Sequence, residues 1–353
     1  MAAVNFFDSG IARWQDVATV GGTNIPLASL APRFTFGSEI WIVQTFHILR
    51  SLGYPCRLSA VLDPSAINVM HYDDTRTPDL WRAFVVSARC DRDPSFLAQA
   101  EIVQNLSSVW ADNNIYVPSW PQPGLIPRDP ARGSLIERLA FFGHEENLVP
   151  AAKSDAFRTE LARLGMSLVI KEKPADWGNY SDVDVVLALR GGDSFFRALK
   201  PAAKVTNSWL AGCPVIAGRE HAYREIRQSP LDYFEVETAD GVLASLRQLK
   251  STPGLYEQMI ANGRERAQPF TERAVAGRWI EALDGPISRL FECWGATTPA
   301  ARRLKYVAGR ARNIVWGPHA VLNPSGGWKR LIRPLRRTIS HPGHLRMWRV
   351  PWV

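Results

Sequence analysis
Four residues in one short stretch have the types and spacing to hold a polyphosphate. They are Arg190, Lys200, Lys204 and Asn207, and the pair Gly191-Gly192 lies among them. Guanidinium and ammonium groups neutralise phosphate oxygens, and an amide donates to them. The residues around these groups read as strand, glycine loop, helix, strand and helix. Val183–Leu189 is a short β-branched run suited to a strand buried on both faces. Asp193 or Ser194 could cap a helix starting near Phe195, and Gly212 could end the helical stretch before a second buried strand, Pro214–Ala217. A turn from strand into helix offers backbone N–H groups and the positive end of a helix to an anion. The same residues also fit an ordinary βαβ unit with solvated lysines.

Other chemistry-bearing residues are scattered. His71 ends an apolar run beside Asp73 and Asp74, as a base held by a carboxylate would. His144 follows Gly143 at the end of another apolar run, within reach of a ligand. His47 falls among the apolar residues of a helix. Two Asp-x-Asp patterns, Asp91-Arg92-Asp93 and Asp182-Val183-Asp184, could supply oxygen ligands to a divalent ion. The second opens a strand, where a metal loop would close one. The first also reads as a plain turn. The chain has no GxxxxGK[ST], HExxH, GxSxG or GxGxxG pattern.

Elements able to position these groups alternate along the chain. Phe34, Gly37, a helix from Glu39 to about Leu52 capped by Ser38, and Arg57–Leu62 form one βαβ unit. Strands are expected at Ala66–His71, Ala83–Ala88 and Glu101–Asn105, with a helical piece at Ser95–Ala100. Residues 111–133 hold five prolines and two glycines and read as a connector. Beyond it come strands at Arg138–Phe142 and Ser167–Lys171 around a helix at Ser154–Leu164. After the glycine loop follow a strand at Tyr233–Glu237 and helices at Gly241–Leu249, Pro253–Ala267 and Thr271–Leu283. Alternation of this kind predicts open parallel sheets.

With 353 residues, 46% hydrophobic and 22% charged, the chain has material for two ordinary cores. No apolar run nears the roughly 20 residues of a membrane span. The N-terminus lacks a signal-peptide pattern, and Cys56, Cys90, Cys213 and Cys293 form no CxxC pair, so a reducing, cytoplasmic setting is expected. The formal charge of +8 is uneven. Twelve of the 42 Lys and Arg lie between Cys293 and Val353, which contains no Asp or Glu, so the remaining 30 bases face 34 acids. In this tail Leu304, Val307, Ala308, Ala311 and Val315 share one helical face with arginines around it. Trp328, Leu331, Ile332, Leu335 and Ile339 repeat the pattern. Such segments suit an anionic membrane surface; a tail wrapping the mildly acidic body is the plainer reading.

Four segments carry a family resemblance: FFGHEENL, WGNYSDVDVVLALR, KPAAKVTNSWLAGCPVIAGREHAYREI and NGRERAQPFTERAVAGRWIEAL. Over roughly residues 135–285 the chain resembles the donor half of GT-B glycosyltransferases of the bacterial polysaccharide or lipopolysaccharide type. The resemblance implies an α/β fold of two Rossmann-like domains facing across a cleft. Residues 1–132 would be the acceptor domain, 133–285 the nucleotide-sugar donor domain, and 286–353 a basic, Trp-rich extension. It further implies transfer of a sugar from a nucleotide-sugar to a glycan or lipid-linked acceptor, with no cofactor and no divalent metal. Arg190, Lys200 and Lys204 would then bind the diphosphate beside Gly143. Asn207 would bind phosphate or ribose, and Glu220 and Glu225 sugar or ribose hydroxyls. His71 and His144 are the catalytic candidates. Many members place two glutamates at the glycine loop in an E-x7-E pattern. In this chain those positions read as Arg190 and Arg197 or have no clear equivalent, which leaves the stereochemical outcome open. Expected partners are the donor, the acceptor and an anionic membrane surface through residues 293–353, on the inner face of the plasma membrane, with no nucleic acid. A GT-B-like sugar-nucleotide epimerase and a non-catalytic membrane-associated scaffold are the alternatives.

Overall fold
The computed structural model describes residues 2–316 apart from 77, 78, 93 and 192–198. It has two parallel sheets in two compact units. The first unit comprises residues 1–27, 36–118 and 276–353, and the second residues 28–35 and 119–275. The α/β architecture with two doubly wound sheets agrees with the sequence expectation.

In the first unit β1 (Val4–Phe7), β2 (Cys56–Ser59), β3 (Ile67–His71), β4 (Phe84–Ala88), β5 (Ala100–Val103) and β6 (Asn114–Tyr116) lie in the order β2-β1-β3-β4-β5-β6. In the second, β7 (Arg138–Phe142), β8 (Ser167–Lys171), β9 (Val185–Ala188), β10 (Val215–Gly218) and β11 (Phe234–Val236) lie in the order β8-β7-β9-β10-β11. All neighbours are parallel. Each sheet therefore has one place where the winding direction reverses: between β1 and β3, and between β7 and β9. In open α/β sheets, ligands settle beyond the carboxyl ends of the strands at that reversal.

The inner strands are buried on both faces, as parallel strands require. Leu139, Phe141, Val185, Leu187 and Ile216 point into one cluster with the helices Asp155–Arg163, Ala239–Ser251 and Leu255–Arg266. Ala140, Val186 and Val183 face the other way, towards Tyr180, Ala211 and Cys213.

Several elements differ from expectation. The opening strand of the first unit is β1, not the stretch around Phe34, and residues 28–35 belong to the second unit. The Glu39 helix runs as a π-helical segment, Glu39–Gln44, followed by the α-helix Thr45–Ser51, and Ser38 makes no side-chain cap. Ser95–Ala100 is not helical, because Gln99 and Glu101 turn inward to satisfy backbone N–H groups of Val85 and Ser95. The expected boundary at 132/133 also shifts. The connector belongs with the second unit because Ile126 donates to the Gly178 carbonyl, Arg128 to that of Ala211, and the Gln122 N–H to Asn207 Oδ1. At the other end the chain returns to the first unit. There Trp279, fully buried, lies 6.4 Å from Phe6, and Asp284 accepts from the Tyr54 hydroxyl at 2.7 Å. The caps expected at Asp193 or Ser194, and Gly192 of the loop, lie outside the described residues, as does the second tail segment around Trp328.

Asp184 ties the amino ends of this second sheet together. It is fully buried at the entrance to β9 and accepts from Arg128, Arg132 and the backbone N–H groups of Glu137 and Arg138, all within 3.2 Å. Burial alone would raise its pKa; the Arg132 bond and the other donors outweigh that and hold it below the ordinary aspartate value. Asp182 pairs with Lys171 and Arg138. The Asp182-Val183-Asp184 pattern is thus spent on structure. A carboxylate whose folded pKa is depressed stabilises the fold above its unfolded pKa, and that contribution disappears as pH falls through the folded value. Replacing Asp184 by Asn should cost about 3–5 kcal/mol, since it removes the charge shared by the buried Arg128 and the half-buried Arg132. Urea denaturation at neutral pH measures this, and a loss under 1 kcal/mol would remove the carboxylate from this role.

Candidate functional site
Beyond the sheet's carboxyl end, β7 and β9 part early. β7 pairs with β8 over five residues but with β9 over only two, Leu139 with Val185 and Ala140 with Val186. The chain leaves β7 through Gly143, whose φ of +130° no residue with a side chain adopts readily. It leaves β9 through Leu189 and Arg190. The two exits are tied by a bridge between Leu148 and Arg190 and by the Gly191 N–H donating to the Asn147 carbonyl at 2.9 Å.

Lys204 reaches this gap from the first turn of the helix Ala203–Ala211, which has no side-chain N-cap. Its ammonium lies 4.7 Å from the centre of the Phe141 ring. It is also 3.4 Å from where a Cβ on Gly143 would sit. No hydrogen bond or carboxylate holds that ammonium among the described residues. Desolvation pulls its pKa well below the ordinary lysine value; Arg190 pulls the same way and Glu220 opposes. Arg190 itself donates to Glu220 Oε2 at 2.8 Å, and Glu220 is buried. Two cations, a helix start and a glycine exit thus converge at the winding reversal. An anion placed there would gain from each of them.

The remaining expected residues sit as follows. Lys200 is half-buried just before the same helix. Asn207 is buried, and its side-chain oxygen is engaged by the connector N–H of Gln122, which gives it a structural task. Glu225 is half-buried in the helix His221–Ile226, preceded by Glu220 as its N-cap residue. His144 is exposed beside the Gly143 exit, its ring 6.1 Å from that of Trp177. His47 is packed in the first unit.

The reversal in the first unit collects acids. β1 ends at Phe7, so Asp8 stands at its carboxyl end, and His71 is the last residue of β3. Asp8 is buried, and its Oδ2 has no hydrogen-bond partner. Burial raises its pKa to about 6, with Asp74 and Glu39 adding to the rise against a Gly10 backbone bond and Arg13. Ser9 donates to Asp74, and Arg13 pairs with Glu39. His71 is pulled below the ordinary histidine value by burial, with Asp73 opposing. Its Nδ1 accepts from the Asp73 N–H at 3.2 Å. With Nδ1 accepting, a neutral ring carries its proton on Nε2 and presents a donor there. Arg92 pairs with Asp73 and Asp91, which occupies the first half of the other Asp-x-Asp pattern; Asp93 lies outside the described residues. Among the described residues no three His, Cys, Asp or Glu side chains converge as a metal site.

The sequence reading passed over Asp8 and Glu39. The signal was present: VNFF followed by Asp-Ser-Gly is a buried strand opening into a turn with a carboxylate at its lip.

No family model and no curated protein matches the chain. Among solved structures it is similar to Anabaena Alr3699/HepE in complex with UDP and glucose, at TM-score 0.48 and 11% identity over 80% of this chain and 100% of that one. AviGT4, a glycosyltransferase involved in avilamycin A biosynthesis, gives TM-score 0.46 and 15% identity over 80% and 96%. TarM gives 0.45 and 9% over 67% of this chain, which spans 57% of the TarM chain. Likenesses at this level carry no activity across, so the functional reading rests on this chain's own strand order and side chains.

Asp8 has a pH signature. Its folded pKa is raised, so the folded state holds a proton that the unfolded chain has released between about pH 4 and 6. The stability it contributes is present below pH 4 and is lost as pH rises through 6. The advantage of Asp8→Asn over the parent in urea midpoint should therefore grow across that window. A constant difference from pH 4 to 7 would mean that Asp8 titrates normally.

Proposed function
We propose that this chain is a glycosyltransferase that takes a nucleotide-sugar donor, with the donor diphosphate seated between the exits of β7 and β9. The observation that carries this reading is the Lys204 ammonium, held over Phe141 and under Gly143 with Arg190 beside it and, among the described residues, no carboxylate bonded to it. Holding Lys204 there is costly, because burial penalises its charge and Arg190 repels it, with Glu220 offsetting only part of this. A bound diphosphate would relieve that cost.

Cleavage of a sugar–phosphate bond places negative charge on the departing nucleoside diphosphate. Preorganised cations that meet this charge lower the barrier, most of all where water is excluded. In this reading Arg190 and Lys204 supply the positive charge without a divalent ion, and Lys200 adds to it. Glu220 is a positioning residue that orients Arg190. His144, exposed beside Gly143, contacts the donor sugar or phosphate. The acceptor, a glycan or lipid-linked hydroxyl, binds the first unit. There Asp8, with a pKa near 6, is matched to take a proton at neutral pH, and His71 donates through Nε2 to hold the acceptor.

A melting-temperature panel with UDP, GDP, CDP and dTDP tests the donor half. One of them, at about a hundred times its Kd, should add about 2.7 kcal/mol of stability. Lys204→Gln and Arg190→Gln should each weaken that ligand roughly 10- to 100-fold by calorimetry, as expected for a charged hydrogen bond. If none of the four nucleotides raises the melting temperature, the proposal fails.

A further inference from the structure
The helix Pro299–Trp316 lies on the first unit the wrong way round for a soluble protein. Its protein-facing side carries Arg302, Lys305, Tyr306 and Gly309. Arg302 stacks 3.6 Å from the Trp294 ring centre and donates to the carbonyls of Trp294 and Gly295 at 3.0 Å each. Tyr306 packs against the cluster of Phe7, Met70 and Leu97. Gly309 rests on the Phe96 carbonyl so closely that a Cβ there would lie 2.1 Å from the oxygen. These contacts fix the helix's rotation about its axis.

The opposite side is apolar and points away from the protein. Leu304 is 71% and Val307 56% exposed, and Ala308 and Ala311 are exposed with them. At about 100° per residue these four make one stripe, with Arg303 and Arg310 along one flank and Arg312 along the other, all exposed. An ordinary surface helix buries such a stripe. Here contacts by polar side chains and a glycine hold the helix in place, so the stripe is not needed for the fold.

We propose that this face docks on a lipid bilayer surface rich in anionic headgroups. The aliphatic stripe would enter the headgroup boundary while Arg303, Arg310 and Arg312 reach outward to phosphates, the geometry of an interfacial helix. Residues 317–353 are a poor cover for it, since they carry seven Lys and Arg and no Asp or Glu and would repel the same arginines. Nucleic acid fits less well, because its bases call for aromatic stacking and Leu304, Val307, Ala308 and Ala311 offer none. No helix among the described residues is long and apolar enough to cross a membrane, so the contact is one of surface binding. It does not depend on the transfer reaction.

Sedimentation of the full chain with vesicles tests the docking face. The protein should partition onto phosphatidylcholine vesicles containing phosphatidylglycerol, weakly onto phosphatidylcholine alone, and less as salt is raised. Leu304→Glu with Val307→Glu, and separately Arg303→Gln with Arg310→Gln and Arg312→Gln, should each lower partitioning roughly tenfold or more. Both variants should keep the parent melting temperature, since every altered residue is exposed. Three results overturn the proposal: no partitioning onto the anionic vesicles, partitioning undiminished in both variants, or vesicle-bound protein stripped by single-stranded RNA at stoichiometric amounts.

Discussion
The second unit depends on one buried carboxylate. Asp184 gathers two arginines and two backbone N–H groups at the amino end of the sheet and so ties the connector, the start of β7 and the start of β9 to one point. With the strands clamped at that end, right-handed twist separates them towards the other. β7 and β9 stop pairing after Ala140 and Val186, and the gap that opens beyond them is where Lys204 and Arg190 meet. The ionised group that secures the fold and the cations of the site thus lie at opposite ends of the same strands. Each kind of charge is dealt with separately: the first is saturated with donors, while in the second Arg190 is held by Glu220 and Lys204 lies against an aromatic ring.

The two winding reversals have opposite character. That of the second unit gathers cations and glycine; that of the first gathers Asp8, Asp74, Glu39 and a neutral histidine. A fold can place only backbone ends and helix starts at such a point. The side chains decide which ligand charge is welcome. A polyanion is disfavoured by the acids of the first unit and favoured in the second, whereas a neutral hydroxyl-bearing molecule faces no such penalty at the first.

Much of this was legible in the sequence where one physical rule dominated. The strands Arg138–Phe142 and Ser167–Lys171 read true to the residue, because continuous apolar runs between turn residues leave little choice. The helix ending at Gly212 was equally plain, its glycine at φ +73°. What failed had tertiary causes. Ser95–Ala100 has helix-compatible residues, but the buried Glu101 side chain claims the Ser95 N–H and Gln99 is drawn to the Val85 N–H. Asn207 keeps the type and spacing expected of a phosphate ligand, and only the folded connector shows that its oxygen also accepts from Gln122. Asp8 was missed because a four-residue strand near a terminus has too short a pattern to stand out. The apolar face after residue 300 was visible, but which way it turned was not, since that hangs on a single glycine against a carbonyl.

The first unit is assembled from pieces far apart in the chain, with the second inserted between them. Trp279 is part of the core beneath Phe6, and Asp284 holds Tyr54. On a ribosome the order of emergence follows: residues 119–275 can close their own core while residues 1–118 still lack a wall. The amino-terminal half must wait, its apolar strands exposed, until the helix Glu272–Ala282 has cleared the exit tunnel. Vectorial synthesis therefore completes this protein from the middle outward, and a helix made late is the one that seals the first strand.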